Sequence, residues 1–184
     1  MKYISAGHCS VHGPNYDPGA PGINGRWEAN ETVILRDAVI TEIKRRGYTD
    51  IVQDLNSENR NEYFKRIKTG DGSVVVEFHF NAGTLSATGT EALIAVDAGN
   101  PDKTMAAEFA SVTSKTLGIK NRGAKSEAGT RHKRLGLMRE AGIVTLVEVC
   151  FISNANDMAA YDKNFETLVT YYADIVIRFD LMIK

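Results

Sequence analysis

The chain has 184 residues, of which 43% are hydrophobic and 24% are charged, and its formal net charge is −1 at pH 7. This length and composition are typical of one domain, residues 1–184, with a single substantial core. The balanced charge excludes the broad basic surface of a protein that binds nucleic acid. The sequence contains no apolar run near the roughly 20 residues that cross a bilayer, so we expect no membrane partner.

The first residues of the chain enter a strand-like pattern without the apolar region of a secretory signal peptide. We therefore expect the protein to be made in the cytoplasm without a signal peptide. The two cysteines, Cys9 and Cys150, are too far apart in the sequence to form a disulfide framework.

Apolar periodicity predicts strands that alternate with helices along the chain. The clearest helix covers 28–46, and the clearest strands cover 73–80 and 143–149, which are rich in β-branched residues. Glycine-containing segments without a period, 7–27 and 118–133, are predicted to be loops. The alternation predicts an α/β fold in which a mainly parallel, twisted sheet of about six strands is flanked by helices. Further strands are predicted at 3–6, 48–53, 90–96 and 135–138, and further helices at 58–68, 103–117 and 164–182.

Three reactive side chains lie at or near the carboxyl ends of predicted strands. His8 follows the first strand, His79 lies in the strand 73–80, and Glu148 lies in the strand 143–149. Ligands of open parallel sheets bind outside these strand ends, so we expect the three side chains to meet. Two histidines and a glutamate are a known ligand set for catalytic zinc. Glu28, at the start of the long helix, completes such a set with His8 and His79.

The carboxylate of Glu148 is flanked by apolar residues, where an uncompensated charge costs several kcal/mol. Two compensations remain open: a partner such as Arg139, or a role as general base toward a water at a metal site. A competing reading makes Cys150 a nucleophile, because strand alternation places it on the same face as Glu148.

Short motifs in a defined order point to a known family. They are Ala6-Gly7-His8, Asp17-Pro18-Gly19-Ala20, Glu28, His79-Phe80-Asn81-Ala82, Leu137-Met138-Arg139, Leu146-Val147-Glu148 and Phe151-Ile152-Ser153-Asn154. Over nearly the whole chain, this set resembles the amidase type 3 family of zinc-dependent N-acetylmuramoyl-L-alanine amidases. That family includes bacterial cell-wall hydrolases and the catalytic domains of phage endolysins.

The resemblance implies that His8, Glu28 and His79 bind one Zn²⁺ and that Glu148 is the catalytic glutamate. It implies hydrolysis of the amide bond between the lactyl group of N-acetylmuramic acid and L-alanine of the peptidoglycan stem peptide. Glu31 competes with Glu28 as the ligand, but the spacing from Asp17-Pro18-Gly19-Ala20 favours Glu28.

Two further residues of these motifs are candidates for substrate binding. Asn81 follows His79, and Arg139 offers a planar guanidinium to a stem-peptide carboxylate. The expected partner is peptidoglycan or a soluble muropeptide, and we expect a monomer. Another zinc peptidase acting on stem peptides and a non-catalytic peptidoglycan-binding module are the alternatives. A phage or prophage lysis enzyme and a cytosolic recycling enzyme both fit the expected absence of a signal peptide.

Three other residues, Glu77, Cys9 and His12, have two possible interpretations. Glu77, two positions before His79, either orients the imidazole or is a solvated charge at a strand end. Cys9 and His12 have a spacing compatible with a second metal site, although a free cysteine usually packs as a small hydrophobe. His132 lies in a basic cluster of the second long loop and is expected to be exposed.

Overall fold

One sheet of six strands lies at the centre of the fold. The computed structural model describes residues 1–131 and 133–183. The strands are β1 (Lys2–Ser5), β2 (Ile51–Gln53), β3 (Val74–Asn81), β4 (Thr90–Ile94), β5 (Asn121–Ser126) and β6 (Ile143–Phe151). Their order is β2-β1-β3-β6-β4-β5, and every neighbouring pair is parallel except β4 and β6. The predicted α/β fold with a mainly parallel sheet is therefore confirmed.

Three long helices cover one face of this sheet. They are α1 (Glu28–Arg45), α3 (Asn100–Leu117) and α4 (Ala155–Met182), and a short helix, α2 (Arg60–Arg66), packs on the opposite face. Alternate residues of β3, from Val74 to Phe80, point into a core that is shared with α1, α3 and α4. Leu35, Phe109 and Tyr172 are among the fully buried residues that α1, α3 and α4 contribute. No helix in the described ranges combines the length and apolar character that a bilayer-spanning segment needs.

The opposite face of the sheet changes character along the strands. Near the amino ends it is apolar and packs against Tyr63 of α2 and against Leu137. Toward the carboxyl ends the same face becomes polar, because strand register places the side chains of four strands side by side. These side chains are Ser5 of β1, Glu77 and His79 of β3, Glu148 of β6 and Glu91 of β4. The candidate site lies on this thinly covered face.

Three sequence predictions were wrong in detail. The predicted loop 118–133 contains β5, whose polar residues and Gly123, at φ +78°, hid an edge strand. The predicted strand 135–138 is instead a turn followed by the short 3₁₀ helix Leu137–Arg139, in which only Leu137 is buried. The last helix begins at Ala155 rather than at 164, since Asn154 caps a first stretch that lacks a regular apolar pattern. His132 lies outside the described residues.

Candidate metal centre

Glu28 is placed by the way in which the long loop before α1 folds back on the helix start. The Glu28 amide donates to the Ala20 carbonyl at 3.0 Å, and the Ala20 amide donates to Oε2 of Glu28 at 2.9 Å. The carboxylate lies in the first helical turn, where the helix dipole stabilises a negative charge. Glu28 is only 5% exposed, and its Oε1 points toward the ends of β1 and β3.

Two imidazoles, one from the loop after β1 and one from β3, converge on that one oxygen. Nε2 of His8 lies 3.2 Å from Oε1 of Glu28, and Nδ1 of His79 lies 2.9 Å from the same atom. Among the described residues, His8, Glu28 and His79 are the one group of three such side chains whose ligand atoms all lie within 4.8 Å of one another. The tertiary structure therefore brings together the three residues that the sequence predicts as a ligand set.

Two glycines of the motifs make this convergence possible. Both have left-handed backbone, with φ +70° at Gly7 and φ +67° at Gly19. A Cβ atom at Gly7 would lie 2.3 Å from Nε2 of His79, and one at Gly19 would lie 2.7 Å from Oε2 of Glu28. The backbone passes so close to the site that only glycine fits at either position.

A second layer of carboxylates holds the imidazoles from behind. Oδ2 of Asp17 lies 3.0 Å from Nδ1 of His8 but outside hydrogen-bond geometry, whereas Oε1 of Glu77 is hydrogen-bonded to Nε2 of His79 at 3.1 Å. Glu77 also accepts a hydrogen bond from the Ser5 hydroxyl at 3.0 Å and is 1% exposed. It is therefore not a solvated charge, and it orients the His79 ring as metal-ligating histidines commonly require.

The electrostatics of the group favour a cation at its centre. Burial by itself would lower the pKa of His79, but its hydrogen bonds to Glu28 and Glu77 raise it to about 10. Burial would raise the pKa of Glu28, but the two imidazoles hold it well below its ordinary value. A centre that binds an extra proton so strongly is negative, and imidazole and carboxylate donors are ligands that zinc prefers. The residues therefore fit a divalent metal.

Glu148 is next to this group, because it is the register partner of His79 across the β3–β6 pair. Its Oε2 is buried and has no hydrogen-bond partner among the described residues. Burial raises the pKa of Glu148 to about 7, and the nearby Glu28 and Glu91 add to the effect while His79 opposes it. Such a carboxyl can accept and release a proton near neutral pH.

The two predicted substrate-binding residues lie in different places. Asn81 ends β3, donates to Oε1 of Glu91 at 3.1 Å and lines a cleft of about 590 Å³ beside Glu148. Arg139 is exposed on its 3₁₀ turn and does not line that cleft. The idea that Arg139 compensates Glu148 is therefore wrong, because Oε2 of Glu148 has no partner within the part of the chain that is described.

The cysteine reading is contradicted by a β-bulge. His79 pairs with Glu148, but Asn81 pairs with Phe151, so β6 has one extra residue there. The bulge turns Cys150 away from Glu148 into the helix-side core, where its thiol lies 3.8 Å from the sulfur of Met158. Burial raises its pKa well above the ordinary value, which makes the thiol unreactive.

The remaining candidates do not join the group. Glu31 lies 3.4 Å from the Arg26 guanidinium and is not part of the ligand cluster. Cys9 is buried, with its thiol 3.3 Å from the Asn56 carbonyl, whereas His12 is exposed and stacks on Tyr16. These contacts give the two residues structural roles, and the described residues contain no second metal group.

Sequence reasoning missed the charged residues on the far side of Glu148. Glu91 of β4 is the register partner of Glu148, and it pairs with Arg122 and Lys125 of β5. Their signal was hidden because β5 was interpreted as a loop. One signal was present in the sequence. Glu91 is a charged residue between Thr90 and Ala92, at the start of a predicted strand, where an unpaired carboxylate would be unfavourable.

Comparisons with known proteins give the family and the fold of this chain. The family model described as N-acetylmuramoyl-L-alanine amidase matches residues 3–174. The catalytic domain of CwlV, an N-acetylmuramoyl-L-alanine amidase from Bacillus (Paenibacillus) polymyxa var. colistinus, is 24% identical with a TM-score of 0.73, and the match covers 100% of this chain and 98% of that one. The catalytic domain of the CD27L endolysin, which targets Clostridia difficile, is 21% identical with a TM-score of 0.69, covering 96% of each chain.

A longer protein has a similar fold within it. Cwp6 from Clostridium difficile is 24% identical with a TM-score of 0.75, and the match covers 97% of this chain but 29% of Cwp6. A comparison with curated protein sequences gives no match. The structural likenesses show a shared fold, and the family model covers the positions of His8, Glu28, His79 and Glu148. The chain belongs to the N-acetylmuramoyl-L-alanine amidase family.

Proposed function

We propose that this amidase hydrolyses the bond between the lactyl carbonyl of N-acetylmuramic acid and the amine of L-alanine, with one zinc ion held by His8, Glu28 and His79. The observation that carries the proposal is the approach of two imidazole nitrogens, one from the loop after β1 and one from β3, to within 3.2 Å of Oε1 of Glu28. Beside them lies the unpaired carboxylate oxygen of Glu148. The proposed substrate is peptidoglycan of the bacterial cell wall or its muropeptides.

The protein supplies a rigid set of ligand atoms. Nε2 of His8 and Nδ1 of His79 both approach Oε1 of Glu28, while Glu77 is hydrogen-bonded to the other nitrogen of His79 and Asp17 lies 3.0 Å from the other nitrogen of His8. When bound there, zinc polarises a carbonyl and lowers the pKa of water. Glycines at positions 7 and 19 keep the loops close enough for this arrangement.

Glu148 performs both proton transfers. Its carboxylate takes a proton from the attacking water, which forms a bond to the lactyl carbonyl carbon. It then donates that proton to the nitrogen of L-alanine as the carbon–nitrogen bond breaks. The products are a free lactyl carboxylate and a free alanine amine, so no covalent enzyme intermediate is needed.

Product analysis of digested sacculi tests the proposal. The native enzyme is expected to release peptides with new N-terminal alanine and glycans with free lactyl carboxyl groups. Removal of metal by a chelator should abolish the release, and added zinc should restore it. New termini within the stem peptide would identify a peptidase instead, and binding of sacculi without any new termini would identify a non-catalytic module.

A further inference from the structure

The cleft beside Glu148 has a strongly charged wall that the hydrolytic step does not use. The cleft is about 590 Å³ in volume and is lined by residues of β3, β4, β5 and β6 and of the loop after β5. Two acidic residues, Glu91 and Glu148, face three basic residues, Arg122, Lys125 and Arg131. Because the three basic side chains outnumber the two acidic ones, the cleft has an excess of positive charge.

A bulge in β5 brings two of the basic residues to the same side. Thr90 pairs with Asn121, but Ala92 pairs with Ala124, so Glu91 faces two residues of β5 instead of one. Gly123, with φ +78°, is one of these two. In a regular strand, Arg122 and Lys125 would point to opposite faces, because they are three positions apart. The extra residue allows both to reach the same oxygen, Oε2 of Glu91.

Arg122 is fixed in position but keeps donors available. Its Nε–H donates to Glu91 at 2.6 Å, and its guanidinium lies over the Phe151 ring, 5.1 Å from the centroid. A guanidinium has five N–H donors, and within the described residues only the Nε–H of Arg122 has a protein acceptor. Its side chain is 30% exposed toward the cleft. This is the geometry of an arginine that is ready to receive a planar anion.

The chemistry at Glu148 determines which part of the substrate enters this cleft. In the proposed reaction Glu148 protonates the departing alanine nitrogen, so that nitrogen lies next to Glu148. The stem peptide that begins at this nitrogen must then extend along the Glu148 side of the metal centre. Glu91 is directly opposite Glu148 in the sheet, where side chains start about 5 Å apart. Arg122 reaches Glu91 from the next strand and lines the same cleft, so it faces the part of the peptide beyond the cleaved bond.

We propose that Arg122, held by Glu91 and Phe151, binds the free α-carboxylate of the acidic residue that follows L-alanine in the stem peptide. This inference rests on the proposed amidase function. Lys125 neutralises Glu91, so that the Arg122 terminal amines are directed to the substrate rather than to the protein. Arg131, exposed on the rim, adds to the attraction for acidic peptides. The cleft thereby distinguishes stem peptides with a free carboxylate from those with a carboxamide.

A pair of matched ligands tests this subsite. Both are N-acetylmuramoyl-L-alanyl-D-glutamate with the side-chain carboxyl capped as a methylamide, and they differ only in a free or an amidated α-carboxyl. Their dissociation constants are measured by calorimetry with the zinc-loaded Glu148→Gln variant, in which turnover does not interfere. We expect the acid to bind roughly tenfold more tightly than the amide, as one charge-assisted hydrogen bond provides.

Substitution of Arg122 gives the decisive comparison. Arg122→Gln in the same background should remove the preference by weakening only the acid, while Arg178→Gln, an equally ion-paired arginine on α4, should leave it unchanged. If Arg122→Gln fails to fold because Glu91 loses its partner, the double variant Glu91→Gln, Arg122→Gln removes both charges and should show the same loss. Equal binding of acid and amide to the parent, or equal weakening of both by Arg122→Gln, would overturn the inference.

A separate experiment tests the amidase function. Digestion of sacculi by the native enzyme reports the cleaved bond whatever the charge preference of the cleft. An enzyme that releases N-terminal alanine but binds both ligands equally would retain the proposed function and lose the carboxylate subsite. An enzyme that releases no N-terminal alanine would lose both, since the orientation of the peptide depends on the cleaved bond.

Discussion

Buried charges are found at both ends of the sheet, and the two groups are built differently. At the amino end, the fully buried ammonium of Lys2 lies 2.6 Å from Asp50 and 3.0 Å from Asp180, which also pairs with the Met1 amine. Each of these two cations faces a carboxylate. At the carboxyl end, two imidazoles lie among several carboxylates, and an oxygen of Glu148 has no partner among the described residues.

This difference in charge balance indicates that the amino-end group stabilises the fold and that the carboxyl-end group is suited to chemistry. Burial of charge is common to both groups and does not by itself identify a site. The carboxyl-end group has an excess of acidic side chains and opens on a cleft, so it suits an incoming cation and a substrate. We expect substitutions at the two ends to separate stability from catalysis.

The largest effect is expected for Glu148→Gln, which removes the proton acceptor and keeps the side-chain shape. Its kcat/KM on peptidoglycan should fall by about a hundredfold to ten-thousandfold, the usual contribution of general acid–base catalysis. The zinc content and the free energy of unfolding should not change. Glu31→Gln, at the glutamate that lies outside the ligand cluster, is the matched control and should retain activity. Full turnover by Glu148→Gln would contradict the proposed mechanism.

The next largest effect concerns the amino-end cluster. Lys2→Met keeps the length of the side chain but removes the buried ammonium beside Asp180, which keeps its pair with the Met1 amine, so the free energy of unfolding should fall by about 1–3 kcal/mol. Chemical denaturation measures the change, and zinc affinity of the folded protein should stay the same. Arg178→Gln breaks the exposed pair with Glu108 and should cost less than about 1 kcal/mol. A loss of zinc affinity in Lys2→Met would show that the two ends are coupled.

A smaller effect is expected for the carboxylates that lie behind the two imidazoles, Asp17 and Glu77. Glu77→Gln removes the charge behind His79 while retaining an acceptor, and zinc affinity should fall by about tenfold to a hundredfold. Competition with a chelator measures the affinity directly. Ser5→Ala removes only the hydroxyl that donates to Glu77 and serves as the milder control. An unchanged zinc affinity in Glu77→Gln would mean that the charge of Glu77 does not affect how strongly His79 binds the metal.

The apolar periodicity of the sequence predicted most of the helices and strands. The long helix α1 and the central strands β3 and β6 have strong apolar patterns that report burial on one face or on both. Their ends carry His79, Glu148 and Glu28, so the predicted strand ends already indicated where the site lies. The edge strand β5 was missed because an edge strand has one neighbour, and its polar residues give no apolar alternation.

Register could not be read from the sequence. One extra residue in β6 turns Cys150 into the core, and one in β5 brings Arg122 and Lys125 to the same side. A bulge reverses the facing of every later residue in a strand, yet its location depends on the neighbouring strand. Arg139 was predicted to bind substrate, and Arg122 was not considered because the strand that carries it was interpreted as a loop.

The amino-acid sequence by itself determined the fold class, the family and the identity of the metal-ligand candidates, because these depend on local patterns and on residue types in a fixed order. The tertiary structure decided which side chains share a face and which carboxylates stand behind the two imidazoles. It also decided that Arg122, not Arg139, lies beside Glu148. Those relations arise from strand pairing between segments that are distant in the chain, and no local pattern encodes their alignment.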